Sequence, residues 1–227
     1  METRACVNWR PKWRYKQKSK GEKVVENYIF IDGKKTVLTD SQVEKLKESF
    51  YIPDTKLGDV KIGDVAKLAG RKFIVLEQNG EETALILADT VKDDVVFGKT
   101  DNNYNGSNVE KICNKFAEEL AKEIGEENIL LHDVDLTSDD GLKDYGTIKR
   151  RASLLTADMY RKFVEILDNY KLNKYWWLAT PHSTKRHEND QWMLCVSPAG
   201  YISFVHYSSS IGFRPFCILK SNIFVSK

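Results

Sequence analysis

The spacing of apolar and polar positions divides the chain into an N-terminal appendage and a larger domain. Residues 24–31 alternate loosely as a strand does, Asp32-Gly33 supplies a hairpin turn, and 34–38 returns. Thr39 and Gln42 stand at capping-box spacing, with Val43, Leu46 and Phe50 following at helical spacing up to Pro53. This strand–turn–strand–helix unit, preceded by an irregular arm over 1–23, predicts an appendage spanning 1–56.

The main domain is expected over 57–227. Val60, Ile62, Val65, Ala66 and Leu68 surround a short turn, and 73–76 and 84–88 read as strands across a polar turn at 78–81. A polar loop over 99–106 leads to Ser107 and Glu110, a capping box. Beyond it, Val109, Ile112, Cys113, Phe116, Leu120 and Ile124 mark one face of a helix stopping at Gly125. Residues 128–145 read as an acidic linker around a short apolar stretch. Thr156 caps a second helix that carries Met159, Phe163, Ile166, Leu167 and Tyr170 on one side. The period then falls from 3.6 to 2, giving strands at 192–196, 201–206 and 213–219, the first two joined by a turn at 197–200. Helices followed by a run of short strands favour an α+β fold over a doubly wound parallel sheet.

Composition adds little to that outline. The 227 residues are 41% hydrophobic and 30% charged, enough to bury a full core without disulfide or metal staples. The formal net charge is only +2, but it is uneven: residues 1–24 are strongly basic and 77–144 lean acidic. No stretch reaches the roughly 18 apolar residues of a membrane span, and the start lacks the apolar core of a signal peptide. Cys6, Cys113, Cys195 and Cys217 form no CxxC pair and read as buried thiols in a reducing cytoplasm.

The stretch Tyr175-Trp176-Trp177-Leu178-Ala179-Thr180-Pro181, the Gly-containing turn at 197–200 and the closing Gly212-Phe213-Arg214-Pro215 follow one another in a recognisable order. Together they resemble the Trp-Trp-Leu-Arg-Ser-Pro and Gly-Val-Arg-Pro boxes of an uncharacterised domain family of bacteria and phages. Residues 70–76 and 107–116 match further segments, so the resemblance spans about 58–220. The closing box is also similar to C-type-lectin-like folds, including formylglycine-generating enzymes. The resemblance implies a C-type-lectin-like irregular antiparallel sheet with two flanking helices and a ligand face on loops. Ala179-Thr180 replaces the family's Arg-Ser, and the redox cysteines of formylglycine-generating enzymes have no counterpart. The resemblance therefore points to the fold and not to that activity.

The candidate chemistry is that of binding. Trp177 and Trp192 can stack on a partner, and His182, Lys185, Arg186, His187 and Tyr207 lie on the adjoining loops 182–190 and 207–212. Trp176, Pro181, Gly212, Arg214 and Pro215 are expected to be structural. Arg214, set between apolar neighbours, needs a carboxylate or carbonyl partner. Trp176 and Trp177 should face opposite ways in a strand, one buried and the other half exposed. In the arm, Trp9, Arg10, Lys12, Trp13, Arg14 and Lys16 interleave aromatics with cations, which suits contact with nucleic acid.

No serine elbow, Walker or dinucleotide motif is present, and His206 reads as a packed histidine. Asp133, Asp135, Asp139, Asp140 and Asp144 fail EF-hand spacing, because Ser138 stands where glycine is required. No catalytic residue, metal or cofactor is expected. The sequence predicts a non-catalytic, cytoplasmic binding module of phage or mobile-element type with a protein partner. The alternative is a nucleic-acid-associated protein, or an inhibitor of a host nuclease or defence complex, acting through the basic arm.

Overall fold

A computed structural model describes residues 15–17, 23–25, 28–31, 34–39, 41–42, 55–91 and 95–226. The chain divides into two units, Met1–Pro53 and Asp54–Lys227.

In the first unit β1 (Tyr15–Gln17) pairs antiparallel with β2 (Lys23–Val25), and β3 (Tyr28–Ile31) with β4 (Lys34–Val37). The expected hairpin is therefore β3–β4. A second ladder reaches into the arm that was expected to be irregular, where Lys16 lies opposite Val24 and the β-branched pair Val24-Val25 supplies the partner strand. The Thr39 box closes reciprocally. The Gln42 amide donates to Thr39 Oγ1 (3.3 Å) and the Thr39 amide donates to Gln42 Oε1 (2.9 Å). The helix expected beyond it lies outside the described residues, as do Trp9, Arg10, Lys12, Trp13 and Arg14.

The second unit runs β5 (Thr55–Lys56), β6 (Val65–Leu68), β7 (Arg71–Asn79), β8 (Glu82–Leu87), β9 (Val95–Val96), α1 (Asn108–Ile124), β10 (Ile129–Leu130), β11 (His132–Asp135), β12 (Thr147–Arg150), β13 (Ala152–Ser153), α2 (Ala157–Leu167), β14 (Trp176–Pro181), β15 (Trp192–Val196), β16 (Ile202–His206), β17 (Ser210–Ile211), β18 (Phe216–Lys220) and β19 (Phe224–Val225). It is a mixed α+β unit whose ladders are antiparallel, with two α-helices among its described residues. Neither helix is long and apolar enough to cross a membrane. Because β5 pairs with β19, the domain begins before Leu57, where the sequence placed it.

The central sheet has the order β10-β18-β8-β7-β6, with β13 also on β18. Alternation along β7 sends Phe73 and Val75 to one face and Ile74 and Leu76 to the other, and all four are buried. On the first face they meet Phe116, Ala117 and Leu120 of α1. On the second they meet Tyr160, Phe163 and Leu167 of α2, together with Trp176, Leu178, Leu194 and Val196 of a second sheet, β14-β15-β16. A third core fills the far side of that second sheet. There Trp177, Ala179, Met193 and Cys195 pack against Phe97, Tyr104, Val109, Cys113, Leu136 and Phe213.

Both helices start as their caps predict. Ser107 Oγ accepts from the Glu110 amide (3.0 Å) and Thr156 Oγ1 from the Met159 amide (3.2 Å). Gly125 ends α1 at φ 91°, a conformation costly for any residue with a Cβ. Three expectations are corrected. The segment 65–68 is the edge strand β6, not part of a turn. The supposed linker 128–145 contains β10 and β11, and the closing strand starts at Phe216, after Pro215. These strands are too short to show a full alternation, so their partners define them.

Candidate functional site

The two sequence boxes meet in space. Trp176 bridges Gly212 in parallel fashion, the Trp177 amide donates to the Gly212 carbonyl (2.9 Å), and the Gly212 amide donates to the Tyr175 carbonyl (3.0 Å). A Cβ on Gly212 would stand 2.7 Å from Thr90 Cγ2, 3.1 Å from Lys174 Cδ and 3.2 Å from the Tyr175 carbonyl oxygen. Gly212→Ala is expected to cost about 2 kcal/mol, read as a lower urea midpoint with unchanged slope.

Trp176 and Trp177 do face opposite sides, but both are buried, at 2% and 0% exposure. Trp177 is therefore corrected from partner-binding to structural. Its Nε1–H donates to the Val95 carbonyl (2.8 Å) and its ring meets Phe97 at 5.3 Å. The far side of the second sheet is covered by the segments carrying Phe97, Tyr104 and Phe213, so no half of the tryptophan pair reaches solvent. Trp176 meets Tyr160 edge-on at 5.7 Å and carries the Arg214 guanidinium 5.2 Å from its ring centre. Arg214 is 1% exposed. Its Nε donates to the Leu87 carbonyl (2.9 Å) and its Nη2 to the Ala88 carbonyl (3.1 Å). Pro215 is buried beside these contacts, its carbonyl accepting from the Leu87 amide, and Pro181 is buried at the other end of β14, its carbonyl accepting from the Asp139 amide.

The near face of the second sheet is covered only in part. Leu194, Val196 and Ile202 lie against the core under α2, whereas the next residues on the same face extend past it. Those residues build an aromatic surface. His182 stacks on Phe204 (5.0 Å, 15°), Trp192 meets Phe204 edge-on at 5.7 Å and His206 at 5.6 Å, and the His206 and Tyr207 rings are 4.5 Å apart. Phe204 is 52% exposed. His206 Nδ1 accepts from the Ser208 amide (3.2 Å) and lies 2.7 Å from Ser208 Oγ, so this nitrogen is engaged within the chain. Trp192 and His182 were expected at the site. Tyr207, expected there too, is corrected: it packs half-buried against the third core with Val205, on the other side of the sheet, and only its ring adjoins His206. Phe204 was missed and His206 was read as packed, although their alternation with Ile202 places all three on one face.

Loop 182–190 is tied down rather than free. Asp140 Oδ2 accepts from Ser183 Oγ (2.6 Å) and lies 3.0 Å from His187 Nδ1. Asp144 takes Thr184 Oγ1 (2.6 Å) on one oxygen and Arg186 on the other. The buried Asn102 side chain donates to the Ser183 and Trp192 carbonyls (2.9 Å each). Burial works against the Asp140 carboxylate, but hydrogen bonds from Ser138, Ser183 and His187 outweigh it and hold its pKa at about 2. The acidic segment is thus a clasp for the neighbouring loop, and Arg186 and His187 reach a partner only as members of these pairs. Lys185 is exposed beside them.

Cys113, Cys195 and Cys217 are buried, and burial raises each thiol to about 12, so all three stay protonated at neutral pH. Among the described residues, no group of three or more His, Cys, Asp or Glu side chains is arranged to hold a metal ion. What the surface offers is a rigid set of flat rings edged with hydrogen-bonding nitrogens. Compared with known protein families, curated proteins and solved structures, the chain matches none.

Proposed function

We propose that this chain is a non-catalytic binding module of phage or mobile-element type that holds a protein partner on the surface formed by His182, Trp192, Phe204 and His206. The observation that carries this reading is Phe204: a ring 52% exposed, held between His182 and Trp192. Clusters of rigid aromatic rings lose little conformational entropy on binding and give protein interfaces their strongest contacts. The clasped loop 182–190 borders the surface and adds charge at its rim. A C-type-lectin-like arrangement of the domain is part of this reading, supported by the junction of the Trp box and the closing box at Gly212. The proposed compartment is the cytoplasm, where buried thiols persist as thiols.

The test is capture from host lysate by the tagged full chain, with and without nuclease, in parallel with Trp192→Ala. One protein recovered in both conditions and depleted at least tenfold by Trp192→Ala is the expected result. Recovery only without nuclease would move the function to the basic arm. Equal recovery by the variant would remove the aromatic surface from the interaction.

A further inference from the structure

The second sheet ends at β16, whose outer edge meets no strand among the described residues. Hydrogen bonding at its two ends fixes the phase of the ladder. The Tyr207 amide donates to the Gln191 carbonyl (2.9 Å) and the Ser197 amide to the Tyr201 carbonyl (3.0 Å). With Trp192 opposite His206 and Leu194 opposite Phe204, residues 201, 203, 205 and 207 turn their backbone groups toward β15. The amides of Ile202, Phe204 and His206 therefore point outward, with the carbonyls of Ile202 and Phe204. The His206 carbonyl already accepts from the Ser209 amide (2.8 Å) and keeps one lone pair.

Two features of this edge say what fits it. The stretch Tyr201-Ile202-Ser203-Phe204-Val205-His206-Tyr207 has no charged residue, whereas monomeric proteins commonly guard an open edge with lysine, proline or a bulge. It is also close to palindromic about Phe204. Run antiparallel against itself, Tyr201 falls opposite Tyr207, Ile202 opposite His206, Ser203 opposite Val205, and Phe204 opposite Phe204. The outward phase centres the two-fold on a hydrogen-bonded pair, so each Phe204 amide meets the other Phe204 carbonyl.

We propose that a second copy of this chain pairs with β16 along this edge, joining two three-stranded sheets into one across a two-fold axis at Phe204. Such an axis stands perpendicular to the sheet and keeps each face on its own side. The two Phe204 rings become cross-strand neighbours, and the two aromatic surfaces merge into one of twice the extent. Self-association stands on the backbone edge and partner capture on the ring faces, so either can fail without the other.

Sedimentation velocity on the full chain across the micromolar range tests this directly. Wild-type protein is expected at twice the mass of one chain. Phe204→Pro removes an amide that serves no bond among the described residues, and proline suits an outward-facing edge position. It should weaken the dimer at least about tenfold while leaving the far-UV spectrum unchanged. If that variant loses its folded spectrum, Phe204→Lys decides, since it sets two like charges across the axis. Phe204→Cys should form a chain-to-chain disulfide under mild oxidation that the wild type does not, because paired Cα atoms at such a position lie about 5.5 Å apart. A wild-type monomer throughout, or a dimer untouched by a folded Phe204→Pro or Phe204→Lys, would overturn the proposal and leave the edge to a strand of another protein.

Discussion

Replacing Arg214 with alanine is expected to lower the unfolding free energy by about 3–5 kcal/mol, the largest loss predicted for any single side chain here. Three losses coincide. The side chain is among the largest fully buried ones, so its removal opens a cavity between Trp176 and the end of β8. The Leu87 and Ala88 carbonyls lose charged donors. Trp176 loses the cation beside its ring. Against these stands the cost of holding a charge inside. Burial lowers the guanidinium from 12.5 to about 10, with Asp89 and Tyr160 partly offsetting it, a net penalty of roughly 3 kcal/mol. At neutral pH the group is still charged.

That penalty separates the possible replacements. Arg214→Met keeps most of the volume and carries no charge to bury, so it should lose about half as much as alanine. Arg214→Lys keeps a buried charge without the planar fork that reaches both carbonyls, and should fall below methionine. Urea midpoints in the order wild type, Met, Lys, Ala are the expected result. A lysine variant as stable as wild type would mean that the fork has no role.

The elements that could be read in the sequence are those whose signals are local. Ser107 with Glu110 and Thr156 with Met159 lie three residues apart, and each begins a helix whose buried side follows from spacing alone. The strands 192–196 and 201–206 alternate long enough to be seen. By contrast, β10 exists because Ile129 pairs with Leu219, and β13 because Ala152 pairs with Cys217, at separations no short window samples. The same distance hides the clasp: Asp140 and Asp144 find Ser183, Thr184, Arg186 and His187 some forty residues later, so they look like a solvated acidic run. Adjacency placed Trp176 and Trp177 on opposite faces. It could not tell that segments from three other parts of the chain cover the second face. At the aromatic surface, Trp192 stood out by residue type. Phe204 lies on the same face as Ile202 but outside the core that α2 covers, which depends on packing rather than on pattern.

The second large effect is a loss of stability under mild acid, traced to His132. Its Nε2 lies 2.8 Å from Ser153 Oγ, and that hydroxyl donates to the Leu154 carbonyl, so the imidazole is the donor and its proton sits on Nε2. Nδ1 is buried without a hydrogen-bond partner among the described residues, and the ring meets Phe216 edge-on at 5.0 Å. Protonation would set a charge in a largely dry site that offers it only the Leu130 carbonyl and Asp133 in compensation. Burial accordingly lowers the pKa from 6.5 to about 4, with the Leu130 carbonyl and Asp133 opposing only in part. Between those values the unfolded chain binds a proton that the folded chain refuses. Stability from this group is complete above pH 6.5 and declines as the pH falls toward 4, by about 3 kcal/mol in all. Asp140 adds its own loss only lower, between the ordinary carboxylate value of 3.8 and about 2, so the two windows separate. Urea midpoints from pH 7.5 down to 4.5 should therefore drop steadily in the wild type. His132→Gln, which cannot take up a proton, should start lower and stay nearly flat across the same range. Parallel slopes in the two proteins would assign the acid sensitivity to another group.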